Sequence, residues 1–137
     1  MEIVQTTFNT ELKDDLYNMF AQHAIEVAGM NGLATEPVSF VMRDGDTLIG
    51  AIVAQIFWQQ LHIKYLAVTK EFRKQGIAKK LMNKMLEYGR NQGCSFVYVE
   101  TLSFQAPDIY KKMGFREDFK RDGFACDASF HYLSMPL

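Results

Sequence analysis

The most informative stretch of this sequence is Val68-Thr69-Lys70-Glu71-Phe72-Arg73-Lys74-Gln75-Gly76-Ile77-Ala78. It lies between an apolar run typical of a strand and a run with helical periodicity, so it predicts a loop that opens a helix. The unpaired N–H groups at a helix start attract anions, and the helix dipole adds to this attraction. Gly76 lets an anion approach the backbone, and Arg73 and Lys74 add positive charge. These features indicate a phosphate cradle, although a single glycine at a helix start is more often only a loop residue.

The segments before and after this loop predict a sheet of about seven strands. Asp44-Gly45-Asp46 is a hairpin turn signature, so residues 38–68 predict an antiparallel meander. The strand before the loop, the helix after it and the next strand form a βαβ unit, which requires parallel pairing of the two strands. The predicted strands are residues 2–7, 38–42, 47–58, 61–68, 95–101, 115–119 and 129–135.

Helical periodicity recurs in the segments between these strands. The first predicted helix begins at Asn9 or Thr10, either of which can cap it, and ends at Gly29. The second spans residues 75–92 and has apolar residues on one face and charged residues on the other. The third spans residues 106–113. The sequence therefore predicts a single mixed α/β domain over residues 1–137, with a mostly antiparallel sheet.

Composition narrows the classes of function. The chain has 137 residues, the usual size of one domain, and 48% of them are hydrophobic, which is enough for a core without metal or disulfide bonds. A formal net charge of −1 gives no general attraction to nucleic acid or to an anionic membrane. No stretch approaches the ~18 apolar residues of a membrane span, and the first residues do not resemble a targeting segment. We expect a cytoplasmic protein that binds neither nucleic acid nor membrane, without a metal site and with Cys94 and Cys126 as buried thiols.

Two motifs resemble those of the GNAT family of N-acetyltransferases. Arg73-Lys74-Gln75-Gly76-Ile77-Ala78 resembles the family's Q/R-x-x-G-x-G/A motif. The segment from Ser103 to Phe115 resembles the family's N-x-x-A-x-x-x-Y-x-x-x-G-F motif. The order of the predicted elements agrees as well, so the resemblance covers nearly the whole chain. It implies a GNAT-like mixed sheet with helices on both faces and a splayed central pair of parallel strands.

The resemblance also implies a reaction, the transfer of the acetyl group of acetyl-CoA to a primary amine by direct attack in a ternary complex. The amine would belong to a small molecule, a peptide or a protein, and no metal would take part. The CoA pyrophosphate would bind at the helix start, and the pantetheine arm would lie near Ala67 and Val68 like an added strand. Ser103 replaces the family's asparagine, and its hydroxyl can still bind the cofactor. The implied cofactor-binding residues are Leu66, Ala67, Val68, Arg73, Lys74, Gln75, Gly76, Ile77, Ala78, Lys79, Ser103 and Tyr110.

This chemistry needs a base and an acid. An amine with a pKa near ~10.4 is almost fully protonated at neutral pH, and freeing its lone pair costs about 4–5 kcal/mol. A base, or a water chain leading to one, must take that proton, and the departing thiolate needs a proton donor. A tyrosine hydroxyl is the family's usual donor, and the resemblance assigns this role to Tyr110. The alternative for Tyr110 is packing on the short helix.

The identity of the base is open at the level of sequence. Many relatives carry an acidic residue on the fourth strand, where this chain has Lys64 and no carboxylate. Glu100 on the fifth strand is the nearest acid by topology, and His62 has a side chain that titrates near neutral pH. An ion pair at the strand end and a surface position are the structural alternatives for these two residues. Water alone can also serve.

A second function of a different class fits the same motifs. A non-catalytic acyl-CoA-binding module would need the phosphate cradle but no acid at Tyr110, and a transferase of longer acyl chains is a further alternative. The family builds its acceptor site from the region after the first helix and the loop before the last strand, here roughly residues 28–37 and 120–130, and neither segment identifies the acceptor. Members of the family often pair, so we expect a homodimer.

Overall fold

The computed structural model describes residues 1–32, 35–105 and 107–137. The chain forms two compact units, and the first of them ends at residue 34. The described part of this unit contains one helix, α1 (Thr10–Ala28). The side chain of Asn9 caps α1 by accepting a hydrogen bond from the backbone N–H of Leu12 at 2.9 Å. Gly29 ends α1 in the left-handed conformation, at φ +74°, and its N–H donates to the carbonyl of Ile25.

The strand predicted over residues 2–7 is wrong. Residues 1–9 are exposed and have no regular secondary structure. Ile3 and Val4 favour extended backbone, but a strand becomes stable only when it pairs with a neighbour and buries one face. The described sheet is formed by residues 38–136 and therefore has six strands.

The second unit, residues 35–137, contains this sheet. Its strands are β1 (Val38–Asp44), β2 (Thr47–Phe57), β3 (Gln60–Val68), β4 (Phe96–Leu102), β5 (Arg116–Arg121) and β6 (Phe130–Pro136). Their order across the sheet is β1-β2-β3-β4-β6-β5. The pairing of β3 with β4 is parallel and the other pairings are antiparallel. The predicted mixed, mostly antiparallel sheet, with its meander and its parallel crossover, is confirmed.

Two helices accompany the sheet. The crossover between β3 and β4 contains α2 (Ile77–Asn91), which begins close to the predicted start of the second helix. After β4, a short 3-10 turn leads into α3 (Pro107–Lys112). The third helix was predicted to start at Ala106, which lies outside the described residues.

The core lies between α2 and the sheet. α2 contributes a buried stripe that includes Leu81, Met82 and Met85, spaced to lie on one helical face. Gly89 lets the helix approach β3 closely, because a Cβ atom at this position would lie 2.7 Å from Cδ2 of Leu61. Burying a large apolar side chain such as Leu81 or Met85 stabilises the folded state by about 1.5–3 kcal/mol. The fully buried strand residues are Ile52, Leu61, Ile63, Val97 and Leu133.

A β-bulge interrupts the middle of β3. Val53 of β2 pairs with Tyr65 of β3, but the next residue of β2, Ala54, pairs with Ile63. Lys64 is therefore an extra residue with no partner on β2. A bulge of this kind bends the strand that carries it and increases its local twist.

The bulge coincides with the end of the parallel pairing. β3 and β4 pair as far as Ile63 and Val99, and the rest of β3, all of it described, runs on without a partner on β4. The splayed parallel pair implied by the resemblance is thus confirmed. The gap opens at Lys64, earlier than the expected position near Ala67 and Val68, because the bulge bends β3 at that residue.

The described residues also bear on the expectations about membranes, metals and thiols. None of their helices combines the length and apolar character needed to cross a membrane. They contain no group of three or more His, Cys, Asp or Glu side chains placed to hold a metal ion. Cys94 is buried, but Cys126 is exposed, so the expectation of two buried thiols is wrong for Cys126. The reason is that Cys126 lies in a 3-10 turn, Ala125–Asp127, which contributes no buried side chain.

Candidate active site

A cavity of about 640 Å³ adjoins the part of β3 that has no partner on β4. This volume is typical of ligand sites. Its walls come from the end of β3, from the loop and first turn of α2, and from the segment between Phe104 and Met113. The lining residues are Leu66, Ala67, Val68, Phe72, Arg73, Lys74, Gly76, Ile77, Ala78, Lys79, Phe104, Gln105, Ile109, Tyr110 and Met113.

The start of α2 is suited to an anion. Gly76 caps the helix in the left-handed conformation, at φ +78°, which is readily adopted only by glycine. A Cβ atom there would meet nothing within 4 Å, so the space in front of the backbone is open. The first turn has no acidic residue, and Lys79 adds a positive charge to an end that already carries the partial positive charge of the helix. An anionic ligand would relieve this accumulation of positive charge.

Arg73 ties the loop to the end of β3. Its Nε–H donates a hydrogen bond to the carbonyl oxygen of Val68 at 3.1 Å. The two terminal nitrogens of the guanidinium carry further donors that suit a phosphate. Lys74, the next residue, has φ +62°, which is uncommon for a residue other than glycine and turns the chain sharply before Gly76.

All the cofactor-binding residues predicted from the sequence line this cavity except Gln75 and Ser103. Gln75 is exposed in the loop between Lys74 and Gly76. Ser103 contacts another part of the protein: its hydroxyl accepts a hydrogen bond from the N–H of Ser129 at 3.0 Å, and its own N–H donates to the carbonyl of Ser129 at 2.8 Å. Ser103 therefore joins the end of β4 to the start of β6.

Tyr110 places a phenol in the cavity wall. It lies in α3, is 8% exposed, and packs edge-on against Phe115 with ring centroids 5.7 Å apart. Burial raises the pKa of the Tyr110 hydroxyl above its ordinary value. The hydroxyl is therefore protonated at neutral pH and can act as a proton donor.

The two base candidates, His62 and Glu100, are neighbours. Nε2 of His62 lies 3.3 Å from Oε1 of Glu100. His62 precedes Ile63, the last residue of β3 that pairs with β4, and Glu100 follows Val99, the partner of Ile63 on β4. Burial lowers the pKa of His62 below its usual value; the Glu100 carboxylate opposes this shift and Lys64 adds to it. The imidazole is therefore mainly neutral at neutral pH and can accept a proton.

An aromatic stack beside His62 was missed by sequence reasoning. The rings of His62 and Tyr98 stack with centroids 4.3 Å apart, and those of Tyr98 and Tyr132 with centroids 5.4 Å apart. The register places Tyr132 opposite Glu100. Alternation along β4 puts Tyr98 and Glu100 on one face, but no local pattern reveals that β6 lies beside β4.

The cavity wall after β4 contains further residues, outside the predicted set of cofactor-binding residues. Phe104, Gln105 and Ile109 line the cavity, and the side chain of Gln105 accepts a hydrogen bond from the N–H of Leu102 at 3.1 Å. These residues lie within the second GNAT-like motif, between Ser103 and Gly114. Their position in that motif could have identified them as residues of the cavity wall.

A second polar cluster joins β5, β6 and α3. Oγ of Ser129 and Nε2 of His131 are 2.8 Å apart, and Nδ1 of His131 hydrogen-bonds Glu117. The bond with His131, together with nearby Lys111, lowers the pKa of Glu117. Nζ of Lys111 lies 3.6 Å from the Glu117 carboxylate. With the Ser103–Ser129 bonds, this cluster fixes the segments on either side of Tyr110.

These features match a known family. The profile of the acetyltransferase (GNAT) family covers residues 2–115, which include the helix start, both central strands and Tyr110. The chain belongs to the GNAT family. The resemblance inferred from the two motifs is confirmed.

Individual relatives of this GNAT chain agree with the family match. The chain is 36% identical over 87 residues to N-alpha-acetyltransferase 30 of Schizosaccharomyces pombe, an alignment that covers 56% of each protein. Its fold resembles that of an acetyltransferase from Bacillus cereus, with a TM-score of 0.83, 22% identity and 98% coverage of both chains. It also resembles a Bacillus anthracis protein assigned as a streptothricin acetyltransferase and solved with acetyl coenzyme A, with a TM-score of 0.67, 19% identity and coverage of 75% of this chain and 64% of that one. The chain spans about half the length of the curated relatives it matches.

The environment of His62 makes a testable prediction about its titration. We expect a pKa below the usual 6.5 in the folded protein. Glu100→Gln removes the neighbour that opposes this shift, so the pKa of His62 should fall further, whereas Lys64→Gln should raise it. In the wild type, a lowered pKa means that the unfolded chain binds a proton at His62 more readily than the folded chain does. His62 should therefore make the protein less stable as the pH falls through about 6.5. NMR titration of the imidazole signals measures the pKa, and a rise in Glu100→Gln would contradict the assignment.

Proposed function

We propose that this protein is an N-acetyltransferase that moves the acetyl group of acetyl-CoA to a primary amine by direct attack. The observation that carries the proposal is a single cavity lined by the helix start at Gly76, the end of β3 that has no partner on β4, and the phenol of Tyr110. A phosphate site, a strand-like binding edge and a proton donor are what transfer from a CoA thioester requires. The members of the family named above are acetyltransferases, and one was solved with acetyl coenzyme A, which supports the choice of co-substrate.

The cofactor would be held mainly by backbone. The N–H groups at the start of α2, from Gln75 to Lys79, suit the pyrophosphate, and the guanidinium of Arg73 adds charge-assisted hydrogen bonds. The pantetheine amides would pair with the β3 backbone between Leu66 and Val68, where β4 supplies no partner. The thioester would supply the acetyl group at the end of the gap next to Ile63 and Val99, where the pairing of β3 with β4 stops.

Tyr110 is proposed as the acid. As the amine nitrogen bonds to the acetyl carbon, the C–S bond would break and the thiolate would take a proton from the Tyr110 hydroxyl. The extra proton left on the nitrogen would then pass to the Tyr110 oxygen, directly or through water, and restore the phenol. The raised pKa of this buried hydroxyl keeps the proton in place until negative charge develops on sulfur. A non-catalytic acyl-CoA-binding module would gain nothing from such a hydroxyl, so Tyr110 discriminates between the two functions.

His62 is proposed as the base, with Glu100 as its partner. A neutral imidazole that donates from Nε2 to Glu100 presents the lone pair of Nδ1 as a proton acceptor. His62 would take the proton from the ammonium form of the acceptor, and Glu100 would orient the ring and stabilise the resulting imidazolium. This arrangement combines the two candidates that the sequence left as alternatives. The homodimer and the cytoplasmic location expected from the sequence stay predictions.

Replacement of Gly76 tests the phosphate cradle. Gly76→Asp should abolish acetyl-CoA binding in isothermal calorimetry, because it places a negative charge where the pyrophosphate would lie. Gly93→Asp is the matched control: Gly93 has a similar φ of +80° and an equally open Cβ position, but it lies at the other end of α2. It should keep its affinity for acetyl-CoA. Equal affinities in both variants, each folded by circular dichroism, would reject the cradle.

Replacement of Tyr110 tests catalysis. Tyr110→Phe should lower kcat by about 10- to 1,000-fold with little change in the affinity for CoA, because only the proton donor is lost. Tyr88→Phe is the control, since Tyr88 is a half-buried tyrosine of α2 that packs against Phe40 and is not part of the cavity wall. Stopped-flow or steady-state release of CoA measures the rate. A Tyr110→Phe protein with unchanged kcat, measured where chemistry limits turnover, would mean that the acid lies elsewhere.

The pH dependence of kcat/KM tests the base. With His62 the enzyme uses the abundant ammonium form of the acceptor, so kcat/KM should be flat from about pH 7 to pH 9 for an amine with a pKa near 10.4. His62→Gln leaves only the neutral amine as nucleophile, and kcat/KM should then rise about tenfold per pH unit over the same range. A flat profile in His62→Gln would show that another group, or water, removes the proton.

A further inference from the structure

Glu100 carries a negative charge at the edge of the gap between β3 and β4. Its side chain is 41% exposed, and in the described part of the chain its ion-pair partner is His62. Because burial keeps His62 mainly neutral at neutral pH, this partner does not cancel the charge of the carboxylate. Glu100 therefore lacks a cationic partner among the described residues. It is not one of the residues that line the cavity, but it directly follows Val99, where the pairing of β3 with β4 ends.

Two tyrosine hydroxyls add oxygen acceptors near Glu100. Burial raises the pKa of Tyr98 and of Tyr132, and the Glu100 carboxylate contributes to both shifts. Both phenols are therefore protonated at neutral pH and present neutral oxygen atoms. Glu100, Tyr98 and Tyr132 form a surface that we name the acidic tyrosine patch.

Two cationic side chains on the strands beside β4 and β6 have other partners. Nζ of Lys64 donates to Gln55 at 3.3 Å. Arg116 lies 2.8 Å from Asp118, the other carboxylate that acts on Tyr132, and this pair is neutral as a unit. The uncompensated charge of the patch is thus that of Glu100.

We infer that the acidic tyrosine patch binds the acceptor as its ammonium ion and selects amines that have no anionic group beside the reacting nitrogen. A carboxylate and two hydroxyl oxygens match the three N–H donors of an ammonium group. An acceptor with a carboxylate next to its amine would bring a second negative charge against Glu100, which disfavours binding. The inferred substrates are alkylamines, amino alcohols and amino acid amides, and free amino acids are excluded. This inference rests on the proposed function.

Matched acceptors test the charge preference. Phenylalaninol and phenylalanine differ in a hydroxymethyl group in place of a carboxylate, and ethanolamine and glycine form a smaller pair of the same kind. In each pair, kcat/KM for the amino alcohol should exceed that for the amino acid by at least about tenfold. Glu100→Gln should reduce this ratio several-fold, mainly by raising KM for the amino alcohol. Glu87→Gln, which removes an exposed carboxylate of α2 that pairs with Lys84, is the control and should leave the ratio unchanged.

The ratio separates charge recognition from the proposed role of Glu100 as the partner of His62. If Glu100 only oriented the imidazole, Glu100→Gln would slow both members of a pair by the same factor. An unchanged ratio, or equal rates for amino alcohol and amino acid in the wild type, would overturn the inference.

A binding measurement keeps the inference testable without turnover. Phenylalaninol added to the CoA-saturated protein should shift the NMR signals of the His62 ring in the wild type, much less in Glu100→Gln, and phenylalanine should shift them in neither. Equal shifts by both compounds, or none by phenylalaninol, would overturn the inference. If instead the preference is seen in binding while no acceptor is acetylated, the proposed function fails and the cation site remains.

Discussion

The bend in β3 at Lys64 is the constraint on which the site depends. A strand in the middle of a sheet normally pairs along both edges and leaves no backbone group for a ligand. Here the extra residue ends the pairing with β4 after Ile63, and the N–H and C=O groups from Leu66 to Val68 lack β4 as a partner. This edge of β3 offers the backbone donors and acceptors on which the strand-like binding proposed above depends.

The same crossover helix supports the fold and forms the binding site. Leu81, Met82 and Met85 hold α2 on the sheet, and the absence of a side chain at Gly89 lets the helix approach Leu61 closely. The buried residues of α2 extend from Ile77 in its first turn to Gly89 near its end, so the helix is packed along its length. The N–H groups at Gly76, proposed above to bind the pyrophosphate, lie at the start of this packed helix, which would lower the ordering cost of binding.

Local patterns were enough to predict some of these features from the sequence, while others depend on contacts distant in the chain. The start of α2, the caps of α1 and the crossover were predictable because capping residues and periodicity act over a few positions. The bulge at Lys64 moves the core-facing positions of β3 from Leu61 and Ile63 to Leu66 and Val68. The sequence hides this change of phase, because Tyr65 and Ala67 are apolar as well. The contacts of His62 with Glu100, and of Tyr98 with Tyr132, exist because separate strands are neighbours, which no local pattern encodes. The strand predicted over residues 2–7 was wrong because the local pattern favours a strand but no partner strand pairs with it.

The edge position of β5 has a consequence for how copies of this protein can meet. β5 is the last strand on its side of the sheet, and nearly every residue in it is charged. It also contains a register irregularity beside Asp118, which bends the edge. Charged side chains and a bend are the devices by which natural sheets prevent another strand from joining an open edge. These features disfavour edge-to-edge pairing of folded copies along β5.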